Sequence, residues 1–211
     1  MPETTALNPQ RERSLRIMEV AAQLFHEQGY EAVSLRDIAK GAGISSGSLY
    51  YYIESKQSLL VDLMEESLSA LLHAVATAGI ARVHPSKQLT LLTKVFLEQA
   101  RRDGLPLALA FRELGRLSTQ KRCEIEVLLQ RFTNQLAEAI SARCGVEASQ
   151  LECWGITGGI LSVLKSHLYD EPWLAGSHDG NMLCRIVDVL ATELVDAHAK
   201  KTPMPTVVSN G

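Results

Sequence analysis

Between Ser45 and Tyr52 the chain reads Ser-Ser-Gly-Ser-Leu-Tyr-Tyr-Tyr. These residue types suit hydrogen bonding to an anion rather than bond breaking. Small residues at the start of a helix let its free N–H groups approach a phosphate closely. Tyrosine hydroxyls can bond phosphates, and tyrosine rings can touch thymine methyls. Three consecutive tyrosines are a dense cluster in a chain that has five. The segment reads as a helix that enters the major groove of DNA. The alternative is a tight helical hairpin whose tyrosines anchor a core.

The residues just upstream supply what such a helix needs. Ser34 and Asp37 have capping-box spacing, which starts a helix with core residues Leu35, Ile38, Ala39 and Ala42. Gly43 ends it, Ile44 and Leu49 complete a small core, and a second helix opens at Ser45. Two short helices around a glycine-containing turn form the helix-turn-helix pattern. Charge does not decide the matter, because residues 1–60 hold six Lys/Arg against seven Asp/Glu. Arg11, Arg13, Arg16, Arg36 and Lys56 can nevertheless share one face while Glu27, Glu31 and Asp37 look elsewhere. Phosphate affinity per subunit would be modest, so a dimer is expected.

Chemistry of other kinds finds little support. There is no HExxH, GxSxG or P-loop, and no GxGxxG after a strand. The six histidines are scattered and Glu-x-x-His spacing is absent. A helical enzyme would need carboxylate–histidine pairs on facing helices, and a nucleic-acid-free adaptor would need the Ser45–Tyr52 helix buried. Cys123, Cys144, Cys153 and Cys184 are widely spaced, so reduced and mostly buried thiols are expected, with neither metal nor cofactor.

The 211 residues are 46% hydrophobic and 21% charged with a net charge of −3, which excludes disorder and a generally basic protein. No stretch approaches the roughly 18 apolar residues of a membrane span. Met1 to Gln10 lacks the basic and apolar regions of a signal peptide, so a cytoplasmic location is expected.

The elements that must position the reader are all helical, and the predicted fold class is all-α. Apolar spacing at Ile17, Val20, Ala21, Leu24 and Phe25 predicts a helix over about 10–28, stopped by Gly29. Ser55 is expected to cap a long fourth helix carrying Leu59, Leu60, Leu63, Met64, Leu68, Leu71, Leu72 and Val75. Five more are predicted over about 86–102, 106–117, 118–144, 147–170 and 179–199, with breaks at Gly104, Pro106, Ser118, Gly145 and the 172–180 loop. The expected organisation is a disordered N-terminus (1–9), a DNA-binding domain (10–54), a ligand-binding and dimerisation domain (55–200) and a disordered tail (201–211).

The run from Arg16 to Leu60 resembles the TetR family of bacterial regulators. The resemblance rests on Ala21-Ala22-Gln23-Leu24-Phe25, Gly29-Tyr30, Ser34-Leu35-Arg36-Asp37-Ile38-Ala39, Gly43-Ile44, Gly47-Ser48-Leu49-Tyr50-Tyr51-Tyr52 and Ser55-Lys56. It implies a homodimer, a three-helix DNA-binding domain, and a larger helical domain that takes a small-molecule effector. Its partner would be double-stranded DNA carrying a pseudopalindromic operator. The DNA-facing residues it implies are Ser34, Arg36, Ser45, Ser46, Gly47, Ser48, Tyr50, Tyr51, Tyr52 and Lys56. Tyr52 stands where the family often has His, Ile53 where Phe is common and Ser46 where Lys is frequent.

Two readings stay open for residues 107–132. One is an amphipathic helix pair with a solvated basic face. The other is an apolar tunnel with a cationic mouth, suited to an acyl chain on an anionic carrier. Glu113-Leu114 and Leu117-Ser118, followed by Arg131-Phe132, are similar to the fatty-acyl-CoA-responsive branch of TetR regulators, which usually has Tyr in place of Phe132. The candidate ligand residues are Phe96, Phe111, Arg112, Arg116, Leu128, Arg131, Phe132 and Trp154. Gly155 and Gly159 lie one turn apart on a helix face and admit close approach of a neighbour. With Leu151, and with Ile186, Leu190 and Leu194 of the last helix, they are the candidate dimer interface; by resemblance the two helices pair with their symmetry mates in a four-helix bundle. An intramolecular core is the other reading, and Trp154 could line the pocket instead.

Overall fold

A computed structural model describes residues 9–144, 150–169, 183–189 and 191–192. Every regular element among them is helical. α1 spans Pro9–Gln28, α2 Leu35–Gly41, α3 Ser46–Leu49, α4 Lys56–Thr77, α5 Pro85–Arg112, α6 Thr119–Cys144 and α7 Gln150–Tyr169. Short 3-10 turns occupy Ile80–Arg82 and Leu114–Arg116, and residues 183–189 and 191–192 are helical. Among the described residues, no helix is long and apolar enough to cross a membrane.

Packing divides the chain into two compact units. The first comprises residues 1–73 and 99–130, the second residues 74–98 and 131–211. The first unit buries one stripe of α1 (Ile17, Ala21, Ala22, Phe25) with Ile38, Ala39 and Leu49 of the two short helices. Leu59, Leu60, Leu63, Met64, Leu68 and Leu71 of α4 are buried as well. In the second, Leu89, Leu92 and Phe96 of α5, Leu136 and Ile140 of α6, Ile160 and Leu164 of α7, and Val187 are closed to solvent. Arg143 also belongs there, donating to Asp188 Oδ1 at 2.6 Å and Thr192 Oγ1 at 2.5 Å.

Several predicted boundaries shift. The helices expected over 86–102 and 106–117 are one kinked element, α5, which ends at Arg112. Asp103 leaves helical geometry (φ −132°, ψ 41°), and Pro106 lies inside the helix. Proline has no N–H to give the carbonyl one turn back, and its ring crowds that carbonyl, so the axis bends there without ending. Gly115 lies in the 3-10 turn that follows. α3 closes at Leu49 rather than Tyr52, because Tyr51 and Tyr52 donate three residues back, to Ser48 and Leu49, in a tightened last turn. Of the cysteines, Cys184 is buried, whereas Cys123 is exposed against the expectation of buried thiols.

Candidate functional site

Local chemistry positions α2. Ser34 is its N-cap: the Ser34 Oγ accepts from the Asp37 N–H at 3.3 Å while the Ser34 N–H donates to Asp37 Oδ2 at 2.9 Å. The Ser34 hydroxyl also donates to that carboxylate at 2.5 Å. These bonds, aided by Lys40 and Arg36, hold the Asp37 carboxyl below its ordinary range. Gly43 takes φ +71° in the turn, where a Cβ would be strained, and the Ile44 N–H closes back on the Ala39 carbonyl at 3.0 Å. Val20 of α1 comes so near that a Cβ on Gly41 would meet its Cγ1 at 2.6 Å.

The turn sets α3 with its tyrosines outward. Ser45 caps α3 by accepting from the Ser48 N–H at 3.1 Å, and the two hydroxyls lie 2.8 Å apart. Leu49 is fully buried and pins the helix to the core. Ser45, Ser46 and Gly47 are exposed, Ser48 and Tyr52 half-buried. Tyr50 and Tyr51 are 62% and 86% exposed, which no packing demand explains. Arg36 is also exposed. The hairpin with tyrosines anchoring its core is therefore not what forms.

Lys56 departs from its expected role as a free phosphate cation. Its ammonium donates to the carbonyls of Tyr30 (2.8 Å), Val33 (3.0 Å) and Glu31 (3.5 Å) and lies 4.3 Å from the Tyr30 ring centre. It braces the α1–α2 loop instead. Tyr30 stacks edge-on against Phe25 with ring centres 5.2 Å apart. Its phenol is pushed above its ordinary range by burial first, then by Glu31 and Glu113.

Arg112 and Arg116, expected at a ligand's mouth, are engaged within the first unit. Arg112 donates to the carbonyls of Phe25 (2.8 Å) and His26 (3.4 Å) and from Nε to Glu113 at 2.9 Å. Arg116 lies 3.6 Å from Glu31 and 3.8 Å from Glu113, a carboxylate only 8% exposed. Phe111 and Leu128 belong to the same unit and are half-buried. Phe96 and Phe132 belong to the second, stacked with ring centres 5.7 Å apart and buried, while Arg131 is exposed. Sequence reading missed Gln135, one turn after Phe132, whose Oε1 is buried without a partner among the described residues. The side chains of Trp154 and Leu151, and all of Leu190 and Leu194, lie outside the described residues. Gly155, Gly159 and Ile186 are exposed, with open space at both glycines. Among the described residues, no group of His, Cys, Asp and Glu is placed to hold a metal.

The capped helices, the Gly43 turn and the outward tyrosines coincide with a sequence match. Residues 17–63 match the family described as bacterial regulatory proteins, tetR family. That segment is a TetR-family helix-turn-helix domain. The HTH-type transcriptional repressor KstR2 of Mycobacterium tuberculosis is 32% identical over 106 residues, covering 50% of this chain and 53% of that one. The chain thus spans about half the length of the curated relatives it matches. The TetR-family regulator PfmR of Thermus thermophilus superposes with a TM-score of 0.72 at 23% identity, over 84% of this chain and 97% of that one. AibR, solved with isovaleryl coenzyme A and operator DNA, gives 0.66 at 19% identity, over 88% and 97%. At such identities these likenesses establish the TetR fold. The relatives are regulators rather than enzymes.

Proposed function

We propose that the chain is a ligand-responsive, dimeric transcriptional repressor that acts on a pseudopalindromic operator in the bacterial cytoplasm. Residues 10–54 serve as the reading head and residues 55–200 bind the effector and the second subunit. The observation that carries this reading is the pair Tyr50 and Tyr51, whose side chains are held outward on a helix-turn-helix that uses only their backbone to close α3. Ser34, Arg36, Ser45, Ser46, Gly47, Ser48 and Tyr52 join them in meeting the DNA backbone and base edges. Lys56 supports the head from behind.

Exposed Gly155, Gly159 and Ile186 support dimerisation, together with Val189 at 57% exposure. Exposed apolar side chains on one helix suit a second copy of the same face. The effector is an acyl-CoA or another hydrophobic small molecule, met by Phe96, Phe132 and Arg131. The buried, unpartnered Gln135 Oε1 is an acceptor for its hydroxyl or amide. The isovaleryl coenzyme A bound by AibR supports that chemistry.

Release follows from the chain's continuity. α5 runs from the second unit (85–98) into the first (99–112) and ends at Arg112, which grips the C-terminal carbonyls of α1. α4 makes the same passage at residue 73. A ligand that favours a non-binding arrangement about 100-fold contributes roughly 2.7 kcal/mol, enough to empty a marginally occupied operator.

A thermal-shift screen against long-chain acyl-CoAs, free fatty acids and lipophilic drugs tests the reading, followed by DNA-binding assays with the hits. Stabilisation by acyl-CoA with loss of DNA binding is the expected result. Stabilisation by neutral or cationic hydrophobes alone would replace the acyl-CoA assignment, and absence of DNA binding would overturn the repressor.

A further inference from the structure

The first unit carries cations that its own fold leaves unused. Lys56, Arg112, Arg116, Lys121 and Arg122 all have carbonyl or carboxylate partners, and Arg101 and Arg102 are engaged too. Arg11, Arg13 and Arg16 are exposed, and among the described residues none of the three has a hydrogen bond or ion pair.

Arg11 lies in the first turn of α1, where a cation opposes the partial positive charge of the helix N-terminus; Arg13 and Arg16 lie beyond the reach of that effect. Glu12 is the acid of the first turn, and among the described residues it forms no ion pair with Arg16, its neighbour at i+4. Three exposed arginines without a partner among the described residues are therefore available to an anion outside the chain.

The direction of this patch follows from the packing of α1 on α2. Val20 abuts Gly41, so the Val20 face of α1 is the one turned to the end of α2. Arg16 and Arg13 lie four and seven residues before Val20 and continue that face by about 6 and 10 Å. Lys40, beside Gly41, and Arg36, one turn earlier, are exposed. Among the described residues neither forms an ion pair, although both attract Asp37 from a distance. A row of available cations therefore extends from α1 across the end of the helix that leads into the turn before α3.

We infer that Arg13 and Arg16, with Arg11 at the edge, form a phosphate-binding patch for duplex DNA outside the helix-turn-helix. This rests on the operator-binding reading above and adds an interaction that carries affinity without base preference. Arginines on phosphates position the protein along the backbone and release counterions, so the patch is visible in the salt dependence of binding.

The test uses the full chain, a duplex enriched by it from a random library, and a duplex of mixed sequence. For Arg13→Gln/Arg16→Gln, the slope of log affinity against log salt is expected to fall by about 0.9 for each phosphate no longer neutralised, hence about 2 per subunit. Both duplexes should weaken by the same factor, with Tm unchanged because both side chains are exposed and without a partner among the described residues. A slope equal to the wild type overturns the inference. A reduced slope accompanied by a lower Tm also overturns it, since the arginines would then be structural. If the wild type enriches no duplex, the operator-binding reading itself fails and the patch with it.

Discussion

The guanidinium of Arg112 donates to the carbonyl of Phe25, 87 residues earlier in the chain, at 2.8 Å. That carbonyl belongs to the last turn of α1 and also accepts from the Gly29 N–H at 3.1 Å. A cation at a helix C-terminus is favourable, and here it closes the helix that packs against the helix-turn-helix.

Arg112→Ala should destabilise the fold by about 1–3 kcal/mol in urea unfolding, because it removes charge-assisted bonds and strips Glu113 of its nearer partner. Arg112→Lys should recover less than half, since an ammonium cannot reach Phe25 and Glu113 in the fork that Nη2 and Nε provide. Full recovery with Lys would show that charge alone matters there.

Tyr51→Ala should weaken operator binding by about 1–3 kcal/mol while stability changes by less than about 0.5 kcal/mol. The side chain is 86% exposed, so the fold does not depend on it. A variant that unfolds or loses its dimer would refute that placement.

Gly41→Ala should cost about 1–2 kcal/mol despite alanine's better helix propensity. The new methyl would sit 2.6 Å from Val20 Cγ1, on a short branched side chain with little freedom to yield. The double variant with Val20→Ala should be less destabilised than the two single changes added together, measured as a coupling energy.

Asp37 sets a pH dependence whose sign is determined. Its folded carboxyl titrates below the ordinary value of 3.8, so its contribution is present above that value. It is lost as pH falls through the lower folded value. The stability gap between wild type and Asp37→Asn should therefore be widest near neutrality and shrink below pH 3.8. A gap independent of pH would mean the Ser34–Asp37 box adds nothing through its charge.

Ile186→Glu/Val189→Glu should yield monomers in sedimentation with helical content retained, because both side chains are exposed. Persistent dimers would place the interface elsewhere.

What the sequence by itself determined lies within a few residues of each signal. The Ser34–Asp37 and Ser45–Ser48 caps, the Gly43 turn, the Leu49 anchor and the stop at Gly29 all act over one helical turn, where spacing dictates geometry. The fold class and the helix-turn-helix that carries the exposed Tyr50 and Tyr51 followed from them. Only the tertiary structure decided which distant groups meet. Lys56 was expected on the DNA side by resemblance and by its charge, yet it reaches carbonyls more than twenty residues away. Arg112 and Arg116 resembled a ligand's mouth but close α1 and pair with Glu31 and Glu113, and Arg143 found Asp188 across 45 residues. A long side chain's partner is set by where the packed helices bring its tip, and neither charge nor local spacing encodes that.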